Sequence, residues 1–171
     1  MLVTTQDIRK HRPIADNLDD QRRLVMYIKE AEELDIIPVI GAELYKDCVD
    51  NPQNNRLLLD GGYYDNDKRY FAGLKAAVCL LAYARFLPNN NINVTPFGIK
   101  EKLSIDSGEV SDKAMFRQIN EARNTGMAYL QHVVEYLKYY GIKCGKLSSV
   151  KQNKFKAIGN RTSFSYRIMF L

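Results

Sequence analysis

The sequence has no tryptophan, two histidines (His11 and His132) and three widely separated cysteines, Cys48, Cys79 and Cys144. With no paired-cysteine motif, neither a disulfide framework nor a zinc site is indicated. Cys79 lies in an apolar helical stripe and reads as a small hydrophobe. His11 stands beside Arg12 and Pro13, and His132 lies inside a long helical pattern, so structural roles are expected of both. No serine sits in a nucleophile-elbow context, and no glycine-rich loop ends in Lys-Ser or Lys-Thr to cradle phosphate. Long apolar runs are missing too. The longest, "AAVCLLAYARF", is broken by Arg85 and is too short to span a bilayer. The opening "MLVTTQDIRKHRP" lacks the apolar core of a secretory signal. The expectation is a soluble protein made in a reducing cytosol, not an enzyme, with no catalytic, metal-binding or cofactor-binding residue.

What is present is globular in kind: 171 residues, 46% hydrophobic and 26% charged. A chain of this length buries roughly 70% of its unfolded surface as one domain. Its charge is unevenly spread. After Glu135 there is no acidic residue, while Lys138, Lys143, Lys146, Lys151, Lys154, Lys156, Arg161 and Arg167 are all basic. The body is therefore mildly acidic and the tail basic. A tail of this kind suits nucleic acid, an acidic protein surface, or the acidic body of another copy.

Along the chain, "TTQDIRKH" predicts a helical turn led by Thr4 or Thr5. "ADNLDDQRRLVMYIKEAEEL" predicts a first full helix, capped by Asp16 or Asn17, with Leu24, Val25, Ile28, Ala31 and Leu34 on its apolar stripe. Pro38 suits the first turn of a second, shorter helix, where Ile40, Leu44 and Cys48 recur four apart. "NPQNNRLLLDGGYYDND" breaks regularity. Its Asp60, Asp65 and Asp67 lack the spacing and terminal Glu of a calcium loop, and read as a solvated turn. A third helix, about 66–87, places Phe71, Leu74, Val78, Leu81 and Arg85 on one stripe and reads as central, because it is apolar on more than one side. An insertion at about 89–110 follows, with strand character at Ile92–Thr95 and a turn at Pro96–Gly98. Ser111 or Asp112 opens a fourth helix that runs to about Tyr140 and ends at Gly141. Its length of about 43 Å exceeds what so small a fold needs, so it protrudes or forms a spine. Its tyrosines, Tyr129, Tyr136, Tyr139 and Tyr140, read as core or interface aromatics.

The division expected is a helical domain, 1–142, and a basic extended arm, 143–171. In "TSFSYRIMFL", Phe164, Tyr166, Ile168 and Phe170 alternate with Ser163, Ser165, Arg167 and Met169, a strand with one apolar face. Residues 147–171 reach up to about 80 Å, whereas a body of this size is under roughly 40 Å across. The arm therefore spans its own body or reaches another molecule. Left bare it would invite aggregation, so it pairs with a sheet edge, either its own "NINVT" or a neighbour's. The interaction residues expected are Arg161, Phe164, Tyr166, Ile168 and Phe170, with the lysines Lys143, Lys146, Lys151, Lys154 and Lys156.

Three stretches carry a family likeness: residues 2–45, "LVTTQDIRKHRPIADNLDDQRRLVMYIKEAEELDIIPVIGAELY", then "NVTPFGIKEKLS" and "ARNTGMAYLQHVVEYL". Together they resemble the head–tail connector proteins (adaptor, or neck-ring, proteins) of tailed phages, particularly those infecting gut Bacteroides-type bacteria. The likeness covers about residues 2–140 in pieces and leaves the tail out. It implies a mainly α fold: a four-helix bundle-like adaptor body with a long C-terminal helix and an extended, strand-forming arm. It also implies a structural virion protein in the neck, assembled in the host cytoplasm as a dodecameric homo-oligomer ring. The implied partners are the portal protein, the next neck or tail ring protein, and double-stranded DNA that passes without sequence-specific contact. No membrane partner is implied. The alternative from the residues alone is a small helical nucleic-acid-binding protein using its basic tail. Against it, no helix clusters arginines for base reading, and Glu121 and Glu135 interrupt the fourth helix.

Overall fold

The computed structural model describes residues 1–12, 14, 21–89, 92–95, 98–101 and 112–142, with 21–23, 92–95, 98–101 and 112 described by backbone alone. The described chain is mainly α and closes on a long C-terminal helix. The first helix, α1 (Thr5–His11), starts where the sequence predicts. One carboxylate oxygen of Asp7 accepts the Thr4 backbone N–H at 2.9 Å and the Thr4 hydroxyl at 2.8 Å, and the other accepts the Lys10 ammonium at 2.8 Å. This gives the exposed donors of a helix start a partner.

The next helical segment departs from expectation. Helix α2 (Gln21–Ala31) runs without interruption into a π-helical turn (Glu32–Ile36) and then α3 (Ile37–Ile40). The proline predicted to open a separate helix instead sits inside a continuous one. Pro38 has no N–H, and its ring would press on the carbonyl four residues back in a regular helix. The widened turn lies immediately before it, closed by the Ile37 N–H on the Glu32 carbonyl. The break comes at Gly41, φ 91°, and α4 (Ala42–Asp50) follows. The widened turn also shifts the helical register. Leu34, predicted on the apolar stripe, is 61% exposed, while Glu32 and Ile36 are buried.

Buried Glu32 is a tie point. One carboxylate oxygen accepts the Leu2 backbone N–H at 2.6 Å and the other accepts the Tyr45 hydroxyl at 2.7 Å. It thereby joins the segment before α1, the π-helical turn and α4. Burial, followed by the bond to Glu32, raises the Tyr45 pKa, so that phenol stays a donor at neutral pH.

The predicted third helix is shorter than the sequence suggests. A small helix α5 (Arg56–Asp60) and a hairpin precede it: β1 (Gly62–Tyr64) antiparallel to β2 (Arg69–Phe71), with Tyr63 opposite Tyr70. Helix α6 begins only at Leu74 and ends at Phe86. Gly61 (φ +79°) and Gly73 (φ +84°) explain the boundary, because each lies against the other's backbone where the two ends of the hairpin cross. A Cβ on Gly73 would stand 2.4 Å from the Gly61 nitrogen. No helix passes through such a crossing.

Helix α6 is central, as its composition implies: 10 of its residues are buried, and it packs against α1, α2, α5 and the last helix. After a 3₁₀ turn (Leu87–Asn89) comes a second hairpin, β3 (Ile92–Thr95) with β4 (Gly98–Glu101). The strand expected at Ile92–Thr95 is therefore present. Helix α7 (Asp112–Tyr139) spans 28 residues, about 42 Å at 1.5 Å per residue, roughly twice the length of α6. Met115, Ile119, Ala122, Gly126, Tyr129, Val133 and Tyr136 alternate four and three apart on its inner face, all buried or half-buried. Gly126 lets α6 close in, since a Cβ there would lie 2.9 Å from Leu81 Cγ.

Candidate functional site

All ten predicted interaction residues, Lys143, Lys146, Lys151, Lys154, Lys156, Arg161, Phe164, Tyr166, Ile168 and Phe170, lie outside the described residues. What the structure does describe is the place from which they depart. Helix α7 closes there on a two-bond cap. The Ile142 N–H reaches back to the Leu137 carbonyl at 2.9 Å and the Gly141 N–H to the Lys138 carbonyl at 3.1 Å. Beside this end stands the β1–β2 hairpin, and the two share an aromatic cluster.

Strand alternation sorts the hairpin's rings onto two faces. Inward, Phe71 stacks on Tyr136 of α7 at 4.5 Å between centroids and 18° between planes. Tyr64 meets Phe71, Tyr136 and Tyr139 edge-on at 5.6, 5.3 and 5.6 Å. Outward, Tyr63 and Tyr70 face each other across the strands at 5.1 Å, each 61% exposed. On α7, Tyr140 touches both Tyr136 and Tyr139. Offset and edge-on pairs of this kind contribute about 0.5–1.5 kcal/mol each beyond their burial. The cluster therefore anchors a hairpin that two strands alone would hold only marginally.

The hairpin tip is held polar-side as well. Asp65, Asn66 and Asp67 all take positive φ (57°, 52° and 62°), a region that Asn and Asp enter more readily than other side chains. Asp65 accepts the Tyr139 hydroxyl at 3.0 Å and pairs with Arg69 at 3.4 Å. The bond to Asp65 raises the Tyr139 pKa, and burial raises that of Tyr136. Both phenols stay neutral, so the rings themselves bring faces and hydroxyls while the charge at this end comes from Asp65 and Arg69. The tyrosines read from the sequence as core or interface divide accordingly. Tyr129 and Tyr136 pack against the core, while Tyr139 and Tyr140 are exposed. The sequence alone singled out none of Tyr63, Tyr64 and Tyr70, and it placed Phe71 on a helical stripe, absorbing part of the hairpin into a helix. The signal was there: "GYYDNDKRYF" sets two aromatic pairs around a run of turn formers.

Two further polar contacts tie distant elements together. Asp60 binds Lys75 at 2.7 Å, and Arg85 places Nε and Nη2 on one Asp35 oxygen at 3.2 and 2.8 Å. The Asp35–Arg85 pair lines a shallow cleft of about 110 Å³ with Leu81, Ala84, Ile119 and Arg123. Among the described residues no three His, Cys, Asp or Glu side chains converge as metal ligands. His11 closes α1 and His132 is exposed on α7. Burial pushes the thiols of Cys48 and Cys79 up to about 11 and about 12.

The described residues form a mainly helical fold with a single continuous core and an aromatic end-face. The chain belongs to the DUF6712 family, a family of unknown function, whose profile matches residues 36–140. That span takes in the π-helical turn's last residue, both hairpins and all of α7, and with them every ring of the aromatic cluster. No curated protein matches, and no solved structure matches.

Proposed function

We propose that this chain is a structural subunit of a tailed-phage neck: a ring beneath the portal that joins capsid to tail and continues the DNA channel. In this reading the body is four-helix bundle-like, its wall built around α6 and its height set by α7. The observation that carries it is α7 itself. It is twice as long as the helix it packs on, it commits one stripe to the core, and it leaves Phe116 (63% exposed) and Met127 (47%) bare on its outer side. A helix of that shape supplies a long face for lateral contacts, and a closed ring needs two different complementary faces per subunit. The likeness of residues 2–140 to neck adaptors supports the same assignment.

The arm, with Arg161–Phe170 as its strand, adds to a neighbouring subunit, the portal or the next ring. Its lysines meet acidic protein, because a firm grip on DNA would impede sliding through the channel. Mixing the purified protein with portal and imaging by negative stain is expected to give rings stacked on portal. Replacing Lys151, Lys154 and Lys156 by Glu is expected to abolish them while the monomer stays folded. Subunits that never engage portal, but retain duplex DNA on a filter with a steep salt dependence, would overturn the reading in favour of a nucleic-acid-binding protein.

A further inference from the structure

Among the described residues the β1–β2 hairpin is covered on one face only. Tyr64 and Phe71 pack on α7, while Tyr63 and Tyr70 stand exposed on the other face. Its outer edge is open too, since among the described residues no further backbone hydrogen bond reaches Gly62, Tyr63 or Tyr64 from outside the hairpin. A short open edge beside an exposed ring pair fits an added strand that carries apolar side chains at every second residue.

One segment of this chain has that pattern: Phe164, Tyr166, Ile168 and Phe170 alternate with Ser163, Ser165, Arg167 and Met169. Its tether starts at the right place. Tyr139 hydrogen-bonds the hairpin tip through Asp65, and residues 143–163 separate Ile142 from Phe164. Twenty-one residues treated as a random coil would span roughly 25 Å end to end, comparable with the body. Such a tether presents the segment to its own hairpin at an effective concentration on the order of millimolar. Separate copies at micromolar concentration cannot match that.

We propose that in the isolated subunit the outer edge of β1 receives this chain's own Phe164–Phe170 as a third strand, its rings continuing the Tyr63–Tyr70 ladder. The inference goes beyond the ring assignment, because it concerns the free subunit and holds whether or not rings form.

The test uses the full chain with Cys144→Ser, since Cys48 and Cys79 are buried. Tyr63→Cys is combined in turn with Phe164→Cys, Tyr166→Cys or Ile168→Cys, and with Ser165→Cys or Arg167→Cys, then mildly oxidised. Adjacent strands bring same-face Cβ atoms within disulfide reach. An intrachain disulfide is expected at one or more of the first three positions, several-fold above the last two and unchanged on dilution. Equal yields at both sets, no link at any position, or a covalent dimer whose yield falls on dilution would overturn the proposal. As a second measure, Tyr63→Ser with Tyr70→Ser, at two exposed positions, is expected to speed tryptic cleavage at Arg167 several-fold with helical content unchanged. An unchanged rate counts against the added strand. Portal binding is scored separately, so failure of the ring and failure of the strand addition give different results.

Discussion

Buried Glu32 shows how one residue can add a polar tie to a segment, Leu2–Val3, that is already packed in the core. It is the single polar residue buried among the described residues, and it accepts the Leu2 N–H and the Tyr45 hydroxyl. Each such bond contributes about 0.5–1.5 kcal/mol, and removing the acceptor leaves a buried N–H unpaired at a further cost of about 1–3 kcal/mol. Glu32→Ala is therefore expected to cost about 3 kcal/mol or more, and to strip the Leu2 amide of its hydrogen-exchange protection. Tyr45→Phe is expected to cost about half as much and to leave Leu2 protected. Equal losses would break the argument. Asp7 supplies a pH prediction. Partial burial works to raise its pKa, but the Lys10 ammonium and the Thr4 bonds outweigh it and hold the value down to about 2. Because the folded value lies below the ordinary 3.8, its contribution to stability is complete above pH 3.8 and is lost as pH falls through 2. An NMR titration is expected to place the Asp7 carboxyl midpoint near 2, and Lys10→Ala is expected to move it upward.

At the scale of elements, close approach decides boundaries. Gly73→Ala puts a Cβ into the Gly61 backbone, which cannot rotate away as a side chain could, and it does so at positive φ. A loss above about 2 kcal/mol is expected, seen as a lower denaturation midpoint. Gly126 poses a contest of two effects. A helix-interior glycine is worth up to about 1 kcal/mol less than alanine, but overpacking costs about 1–3. With Leu81 Cγ at 2.9 Å from the added carbon, overpacking wins for a branched side chain, and Gly126→Val is expected to lower the thermal midpoint by several degrees. Gly126→Val as stable as the parent would mean that α6 and α7 do not touch there. Elements with one uninterrupted period were legible in the sequence: α6 from Leu74 and α7 from its start to Gly141. The 66–73 segment was not, because Phe71 falls in step with Leu74 and Val78 by coincidence of spacing. The π-helical turn was not either, since a widened turn leaves no mark on periodicity beyond the displaced Leu34.

Among the described residues the whole molecule shows one core, and Cys48 on α4 and Cys79 on α6 both report on it. Both thiols are buried, with pKa values raised by burial to about 11 and about 12, so neither is a thiolate at pH 8. In a Cys144→Ser variant, modification by a thiol reagent is expected only when the core opens, with both sites accelerating together as denaturant is added. Labelling of either cysteine within seconds in native buffer would show a looser core than this one. The aromatic end-face belongs to the same scale. Its rings come from residues 63–71 and 136–140, more than sixty positions apart in the chain, and only the packing of the hairpin against α7 joins them.

The amino-acid sequence by itself determined the mainly α character, the central helix, the long final helix and the split between an acidic body and a basic tail. Those properties follow from local periodicity, capping and composition, which need no knowledge of neighbours. Only the tertiary structure decided that Glu32 points inward, that Leu34 points out and that Tyr63 and Tyr70, among the described residues, stand exposed beside an unpaired strand edge. Each of these depends on contacts between segments distant in the chain, where a side chain's surroundings are set by what packs against it rather than by what precedes it.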